Sequence, residues 1–400
     1  MAITNTETRY GSVTKGFHWL TAFLIITLIP LGLIANRLPF ETDAELAQKA
    51  WLFSLHKTLG VTVFFVAILR LLWTLSQPKP RLLNTDRLVE SFTAEMVHWL
   101  LYASLIIVPL SGWISHAAAQ GFAPIWWPFG QSLPLVPKST GIEHLFSSVH
   151  WFASKLLALS VLLHIAGALK HHFVDHDVTL RRMLPGDLSI GSLPIQKHSR
   201  KPIIVAAAVW ALVIALGTTQ GISDKNSTFS GKSLAEVTSD WLVDRGSIEI
   251  TVVQFGSEVT GNFADWTSAI SFDETIPEGE VGHVTTTIAI PSLTLGSVTQ
   301  QAFGVDFFDA ATYETAKFDG VIRHAIDGYE AVGTLTIKDI TVPLVLPFNL
   351  AVNEDVAEMR ADLTLDRRDF GIGDNIGDEA SLAFAVKLAI KLKASRSAPE

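Results

Sequence analysis

The chain has 400 residues and no cysteine. That excludes disulfides, thiolate metal sites and thioether-attached haem together, and it leaves nothing to report the redox compartment. Charge is also scarce. Asp, Glu, Lys and Arg make up 17% of the residues, against about 25% in ordinary soluble domains, and the mean hydropathy is +0.35. Basic residues are thinnest in the second half. Residues 223–400 hold 13 Lys and Arg against 28 Asp and Glu, a net of −15. Residues 1–222 hold 17 against 11, a net of +6. The halves are different kinds of object, the length suits two or more domains, and so acidic a second half argues against a nucleic-acid partner.

What the first half has is apolar length. Runs span Phe17–Ala35, Trp51–Trp73, Val97–Ile114, Leu145–Leu169 and Ile203–Leu216. Each approaches the roughly 20 residues that cross a bilayer, the fifth being the shortest. Helices are the open-chain solution there, because backbone groups must pair internally. The first run is too long, and too soon followed by others, for a cleaved leader. Arg9 and Lys15 precede it. Lys79, Arg81 and Arg87 follow the second run, and Lys170, Arg181, Arg182, Lys197, Arg200 and Lys201 follow the fourth. The other side has only Arg37, Lys49 and Lys138. Basic loops mark the cytoplasmic side. The expected topology is an inner-membrane protein with a cytoplasmic N-terminus and a periplasmic C-terminal half.

Histidines punctuate these runs. His150 and His164 are fourteen residues apart in the fourth run, nearly four helical turns and about 21 Å of rise on one face. His18 opens the first run on the cytoplasmic side, and His56 lies early in the second on the outer side. Depth therefore pairs His18 with His164 and His56 with His150. Ionisable groups in a membrane are costly and usually functional, and imidazole is a common haem ligand. Two pairs at matched depths point to two b-type haems. Packed interhelical histidines and a transporter's proton relay are the rival readings. Zinc fits less well, since structural zinc wants four closed ligands. His98 and His116 bound the third run, and His171, His172 and His176 read as interfacial. Lys57 and Arg70 suit either snorkelling or pairing with haem propionates, and the role of Lys155 is open. Trp19, Trp51, Trp73, Trp99, Trp113, Trp126, Trp127 and Trp151 read as an interfacial belt.

Residues 9–185 resemble the bacterial di-haem cytochrome b561 family. The resemblance lies in Arg9-Tyr10-Gly11-Ser12, Phe17-His18-Trp19-Leu20, Leu55-His56-Lys57-Thr58-Leu59-Gly60 and Arg70-Leu71-Leu72-Trp73. It continues in His98-Trp99-Leu100-Leu101-Tyr102, Pro109-Leu110-Ser111-Gly112, the stretch His164 to His172, and Arg181-Arg182-Met183-Leu184-Pro185. It implies a four-helix membrane bundle that passes electrons between quinone and other redox partners. Some members of the family oxidise superoxide. It also implies that His18, His56, His150 and His164 are the axial ligands, with His98 near the cytoplasmic haem but not ligating it.

After Thr218 the texture turns to Ser, Thr, Gly, Asp and Glu, with a linker expected over Ile222–Leu234. Period-two alternation then predicts strands at Ser247–Phe255, Glu258–Phe263, Val281–Ile290, Thr315–Phe318, Val332–Ile337, Thr341–Leu350, Met359–Leu365 and Leu382–Leu392. About eight antiparallel strands suggest a barrel or sandwich, and an eight-stranded barrel has room for one apolar ligand. His283 and His324 have no partners at ligand spacing, and Arg368-Asp369 reads as a salt-bridged turn. This half resembles the YceI-like family of periplasmic polyprenyl-binding, lipocalin-like proteins. The residues are Trp241-Leu242-Val243-Asp244, Phe307-Phe308-Asp309, the stretch Gly333 to Pro343, Arg368-Asp369-Phe370-Gly371 and Gly377-Asp378-Glu379. It implies an elongated apolar cavity for an isoprenoid chain. Family members carry a signal peptide where the fifth run stands, here expected to be an uncleaved anchor.

The expected fold is multidomain: an all-α four-helix membrane bundle with a fifth membrane helix, then an all-β antiparallel lipocalin-like barrel. Residues 1–185 form the cytochrome domain. Residues 186–234 hold a cytoplasmic segment, the fifth helix and a linker, and residues 235–400 form the barrel. The expected function is electron transfer or quinone-linked oxidoreduction. The partners are the bilayer, ubiquinone or another isoprenoid quinone, and a periplasmic redox protein. The rival is an isoprenoid delivery protein anchored by a haem-containing membrane domain.

Overall fold

In the computed structural model every apolar run becomes a helix, and each helix overruns its run. The structure describes residues 2–81, 83, 87–119, 123–128, 130–186, 188, 199–226, 233–326 and 328–397. Lys197, in the expected basic segment, lies outside them. The helices are α1 (Ser12–Arg37), α2 (Asp43–Leu75), α3 (Leu88–Ala118), α4 (Thr140–Phe173) and α5 (Lys201–Asn226). All five are long and apolar enough to cross a membrane. The extra turns carry polar residues such as Glu45 and Glu90, which suit the interface. Helix α5 runs on through Ile222 to Asn226, past the point where a linker was expected. Hydroxyls inside the spans bond back to their own helix, as Thr21 Oγ1 does to Phe17 O at 2.6 Å and Ser104 Oγ to Leu100 O at 2.7 Å. This removes polar atoms that lipid could not satisfy.

The chain divides into two compact units. One comprises Met1–Leu38, Trp51–Ala118 and Pro124–Lys225; the other comprises Pro39–Ala50, Ala119–Ala123 and Asn226–Glu400. In the first, all five helices contribute to one core, including Leu24, Val63, Leu105, Ala153 and Trp210. Helix α5 docks on α4 through Gly217 and Gly221, a Gly-x-x-x-Gly spacing. A Cβ on Gly217 would lie 2.8 Å from Val149 Cα, and one on Gly221 would lie 2.7 Å from Leu145 Cα. Small residues let membrane helices approach this closely. On the opposite side Arg182, buried, donates to Arg81 O at 2.9 Å and Thr8 O at 3.0 Å and covers the Tyr10 ring. The Arg-Arg-Met-Leu-Pro stretch is thereby tied to the N-terminal segment and the α2–α3 loop.

The second unit is a single curled antiparallel sheet. Its strands are β1 (Trp241–Gln254), β2 (Ser257–Phe263), β3 (Trp266–Phe272), β4 (Glu280–Ala289), β5 (Leu293–Thr294), β6 (Thr315–Ala325), β7 (Gly328–Ile337), β8 (Ile340–Asn353), β9 (Val356–Asp366) and β10 (Ala385–Arg396). Their order is β3-β4-β6-β7-β8-β9-β10-β1-β2-β5. The sheet curls until the start of β1 meets edge strand β3. Trp241 Nε1 donates to Phe272 O at 3.1 Å, and Asp240 N to Ile270 O at 3.0 Å. The inner face of this half-barrel is the apolar alternation read from the sequence, including Ile248, Ile250, Leu335, Leu346 and Ile390. Within the Gly333–Pro343 stretch, Ile337 pairs with Ile340 across a two-residue loop. Both loop residues, Lys338 and Asp339, have positive φ (52° and 62°), as a type I′ turn requires to match strand twist.

The Arg368 turn is salt-bridged as expected, but to Asp366 (2.5 Å), not Asp369. Its neighbour Arg367 is the more consequential residue. Arg367 is buried, and all five of its N–H groups donate to main-chain carbonyls: Nε to Ala383, Nη1 to Ile372 and Gly373, Nη2 to Ile376 and Leu382. One guanidinium thus serves carbonyls that would otherwise be stranded. Arg367→Met, which keeps length and loses every donor, should destabilise the half-barrel by about 3 kcal/mol or more. Thermal unfolding of the full chain checks this, and an unshifted barrel transition would contradict it.

Candidate functional site

The four expected ligand histidines come together as two pairs. The His18 and His164 ring centroids are 6.0 Å apart, and those of His56 and His150 are 6.4 Å apart. A ring nitrogen about 2 Å from a metal puts each centroid about 3 Å from it, so two imidazoles flanking one ion sit about 6 Å apart. Both pairs have that spacing. His98 lies 5.1 Å from His164, edge to face, too close for an ion between them, and its Nδ1–H donates to Ala94 O at 2.6 Å. It stands beside the His18–His164 pair.

The seat of His150 follows from local sequence. Pro109 has no N–H and breaks the α3 hydrogen-bond ladder. Immediately before it, Val108 O accepts from Ser111 Oγ at 2.9 Å and from His150 Nδ1 at 2.8 Å. A carbonyl only accepts, so Nδ1 carries the proton and the Nε2 lone pair is left free, the arrangement that would suit a ligating histidine. Gly112 leaves room for the ring: a Cβ there would lie 2.9 Å from His150 Nδ1. Gly32 does the same for His56, at 2.8 Å from Cε1. Pro-Leu-Ser-Gly is thus a histidine seat.

The cations are placed variously. Lys57 Nζ is 3.3 Å from His116 Nδ1, and His116 Nε2 is 2.9 Å from Gln131 Oε1. Arg70 lies over Tyr102, 5.8 Å from its centroid, and Lys155 lies 5.1 Å from the Trp151 centroid. His171 is not a free interfacial residue: its Nδ1 is 2.7 Å from Asp177 Oδ2 and 3.2 Å from Asp175 Oδ2. Hydrogen bonds from Lys170 and then Arg87 hold the Asp175 carboxyl down to about 2. Glu90, His171 and Asp175 could geometrically share a cation, but Lys170 and Arg87 already sit on both carboxylates.

Inside the half-barrel lies a cavity of about 140 Å³ walled by apolar residues such as Ile248, Ile288, Val298, Leu335, Val386 and Leu388. Gln254, Gln301 and Arg367 are its polar lining. His283 and His324 do not line it. His283 is 3.3 Å from Asp319, and His324 Nε2 is 3.0 Å from Ile276 O.

The family model for prokaryotic cytochrome b561 matches residues 9–186. Cytochrome b561 homolog 2 of Escherichia coli K12 is 32% identical over 190 residues, covering 46% of this chain and 95% of that protein. This chain belongs to the prokaryotic cytochrome b561 family. The cytochrome domain is also 24% identical over 178 residues to a probable superoxide oxidase CybB of Yersinia pestis, covering 44% of this chain and 96% of that one. Membership implies b-type haem, electron transport and a multi-pass membrane location. Fused to the cytochrome is a YceI-like domain, whose family model matches residues 241–394. Burkholderia cenocepacia BcnA is a solved structure 27% identical to it, covering 38% of this chain and 99% of that one, with a TM-score of 0.36.

Several supporting groups lay beyond the sequence reading. Gly32 and Gly112 are glycines in apolar runs, a signal that was present. The Val108 carbonyl is main chain and leaves no signal. Gln254 and Gln301 are far apart in sequence and meet only in the fold.

Proposed function

We propose that the cytochrome domain holds two b-type haems, one between His18 and His164 and one between His56 and His150, and relays electrons between them to or from an isoprenoid quinone. The observation that carries this is the pair of imidazole spacings, 6.0 and 6.4 Å. When bound, haem supplies a reversible one-electron iron centre. The chain supplies the rest. The Val108 carbonyl fixes the tautomer and aim of His150. Glycines 32 and 112 let rings and helices meet. A haem held by two histidines, His18 with His164 or His56 with His150, would have no open position at its iron, which would suit electron transfer over oxygen binding. Arg70, over the Tyr102 ring, is assigned with Lys57 and His98 to the haem surroundings.

The basic loops favour a cytoplasmic N-terminus, and five crossings then put the half-barrel in the periplasm. Its apolar cavity suits an isoprenoid chain, and the tether raises the effective concentration of that ligand at the cytochrome. Two measurements test this. Pyridine haemochrome analysis of the purified chain should give two haems b per chain; none would sink the reading. Deleting residues 223–400 should slow quinone turnover while leaving the haem spectrum intact, and unchanged turnover would remove the role given to the half-barrel.

A further inference from the structure

The cavity's polar lining says what kind of head group the isoprenoid carries. Gln254 is 2% exposed, and its Nε2 donates to Gln301 Oε1 at 3.4 Å. The remaining ends of both amides, Gln254 Oε1 and Gln301 Nε2, are buried with no hydrogen-bond partner among the described residues. Both side chains line the cavity. Exchanging the oxygen and nitrogen assignments of both amides changes nothing, because either arrangement pairs one N–H with one carbonyl internally and leaves one carbonyl and one whole NH2 group. Stranded polar atoms in an apolar wall are costly, and a ligand polar group placed there would satisfy both.

Charge decides the rest. Arg367 is the charged residue of the lining, and all five of its donors are already spent on main-chain carbonyls. A phosphate or diphosphate at the amide pair would be a buried anion with neutral amide N–H groups for donors, no free cation among the described lining residues and an unpaired carbonyl beside it, which is unfavourable. A hydroxyl fits: it accepts from the amide N–H and donates to the amide carbonyl. A quinone carbonyl only accepts and leaves the amide carbonyl unmet.

We propose that Gln254 and Gln301 form the head-group subsite of the half-barrel, selecting an isoprenoid that ends in a neutral hydroxyl over an isoprenoid diphosphate. This rests on the reading of the cavity as an isoprenoid site. The hydroxyl can belong to a polyprenol or to an isoprenoid hydroquinone.

The test uses the full chain in lipid nanodiscs and tritiated geranylgeraniol, with empty nanodiscs as background. Unlabelled geranylgeraniol, geranylgeranyl diphosphate, and a short-chain ubiquinone in oxidised and reduced forms are the competitors. Geranylgeraniol or the reduced quinone should compete at least tenfold better than the diphosphate. Whichever of the two is stronger names the source of the hydroxyl. Gln254→Leu and Gln301→Leu should each weaken retention of the alcohol about tenfold, one hydrogen bond's worth. The double variant Gln254→Leu/Gln301→Leu removes both stranded atoms and both ends of the bond between them, so its thermal stability should not fall; Gln301→Met is the alternative should a Leu variant misfold. Competition by the diphosphate equal to that of the alcohol, or Leu variants that retain the alcohol as wild type does, would overturn the subsite while leaving the cavity reading intact. No retention above empty nanodiscs by the wild-type chain would overturn the cavity reading itself, and the subsite with it.

Discussion

His164→Ala should give a protein with one haem b per chain where the wild type has two. The ring it removes is 6.0 Å from His18 and is fourteen residues along α4 from His150, about 21 Å of helical rise. The His56–His150 pair makes no use of it. His150 keeps its own anchor on Val108 O, so its orientation does not depend on the lower half of the helix. The complicating residue is His98, whose ring lies 5.1 Å from His164. If His98 were the partner of His18, His164→Ala would leave haem content at two, and His98→Ala would lower it. The proposed pairing requires the reverse: His98→Ala keeps both haems. Pyridine haemochrome per chain, measured for both variants beside wild type, separates the cases. Loss of both haems on replacing His164 would mean that the pairs are not independent.

The histidine pairs were legible because a bilayer makes depth readable from sequence. Run ends and loop charges locate each residue along one axis, and matching depths then pair His18 with His164 and His56 with His150. The contacts that support them were not legible in the same way. Val108 contributes its carbonyl, and the hydrogen-bond acceptors of Arg367 are main-chain carbonyls too. Side-chain identity carries no trace of these. In the sheet the eight expected strands are present, and the two missed have physical reasons. In β3 the inward face is Trp266, Ser268, Ile270 and Phe272, and Ser268, 5% exposed and 2.7 Å from Thr286 Oγ1, puts a paired hydroxyl into the middle of that short apolar alternation. Strand β5 is two residues long, below any periodic signal. The start of β1 was hidden by the register shift between Val243 and Arg245, which puts the alternation out of phase before Ser247.

Gly112→Leu should remove the haem assigned to His56 and His150 about as completely as His150→Ala does, although residue 112 is offered no role in ligation. The glycine faces His150 Nδ1, where a Cβ would stand at 2.9 Å, and the Cε1 beside it, at 3.0 Å. The ring cannot swing away freely, because Nδ1–H is committed to Val108 O at 2.8 Å and leaving that bond would cost the Nδ1–H its acceptor. Even Ala at 112 forces one of the two to move, and Leu adds bulk where the ring must sit. A general intolerance of side chains in the bundle predicts a different pattern. Gly60, also in a membrane helix, has nothing within 4 Å of its Cβ position, so Gly60→Ala should keep both haems. A haem content of two for Gly112→Leu would mean that His150 is not held where the Pro-Leu-Ser-Gly seat places it. A content of one for Gly112→Leu beside two for Gly60→Ala ties the loss to the ring's seat rather than to helix packing at large.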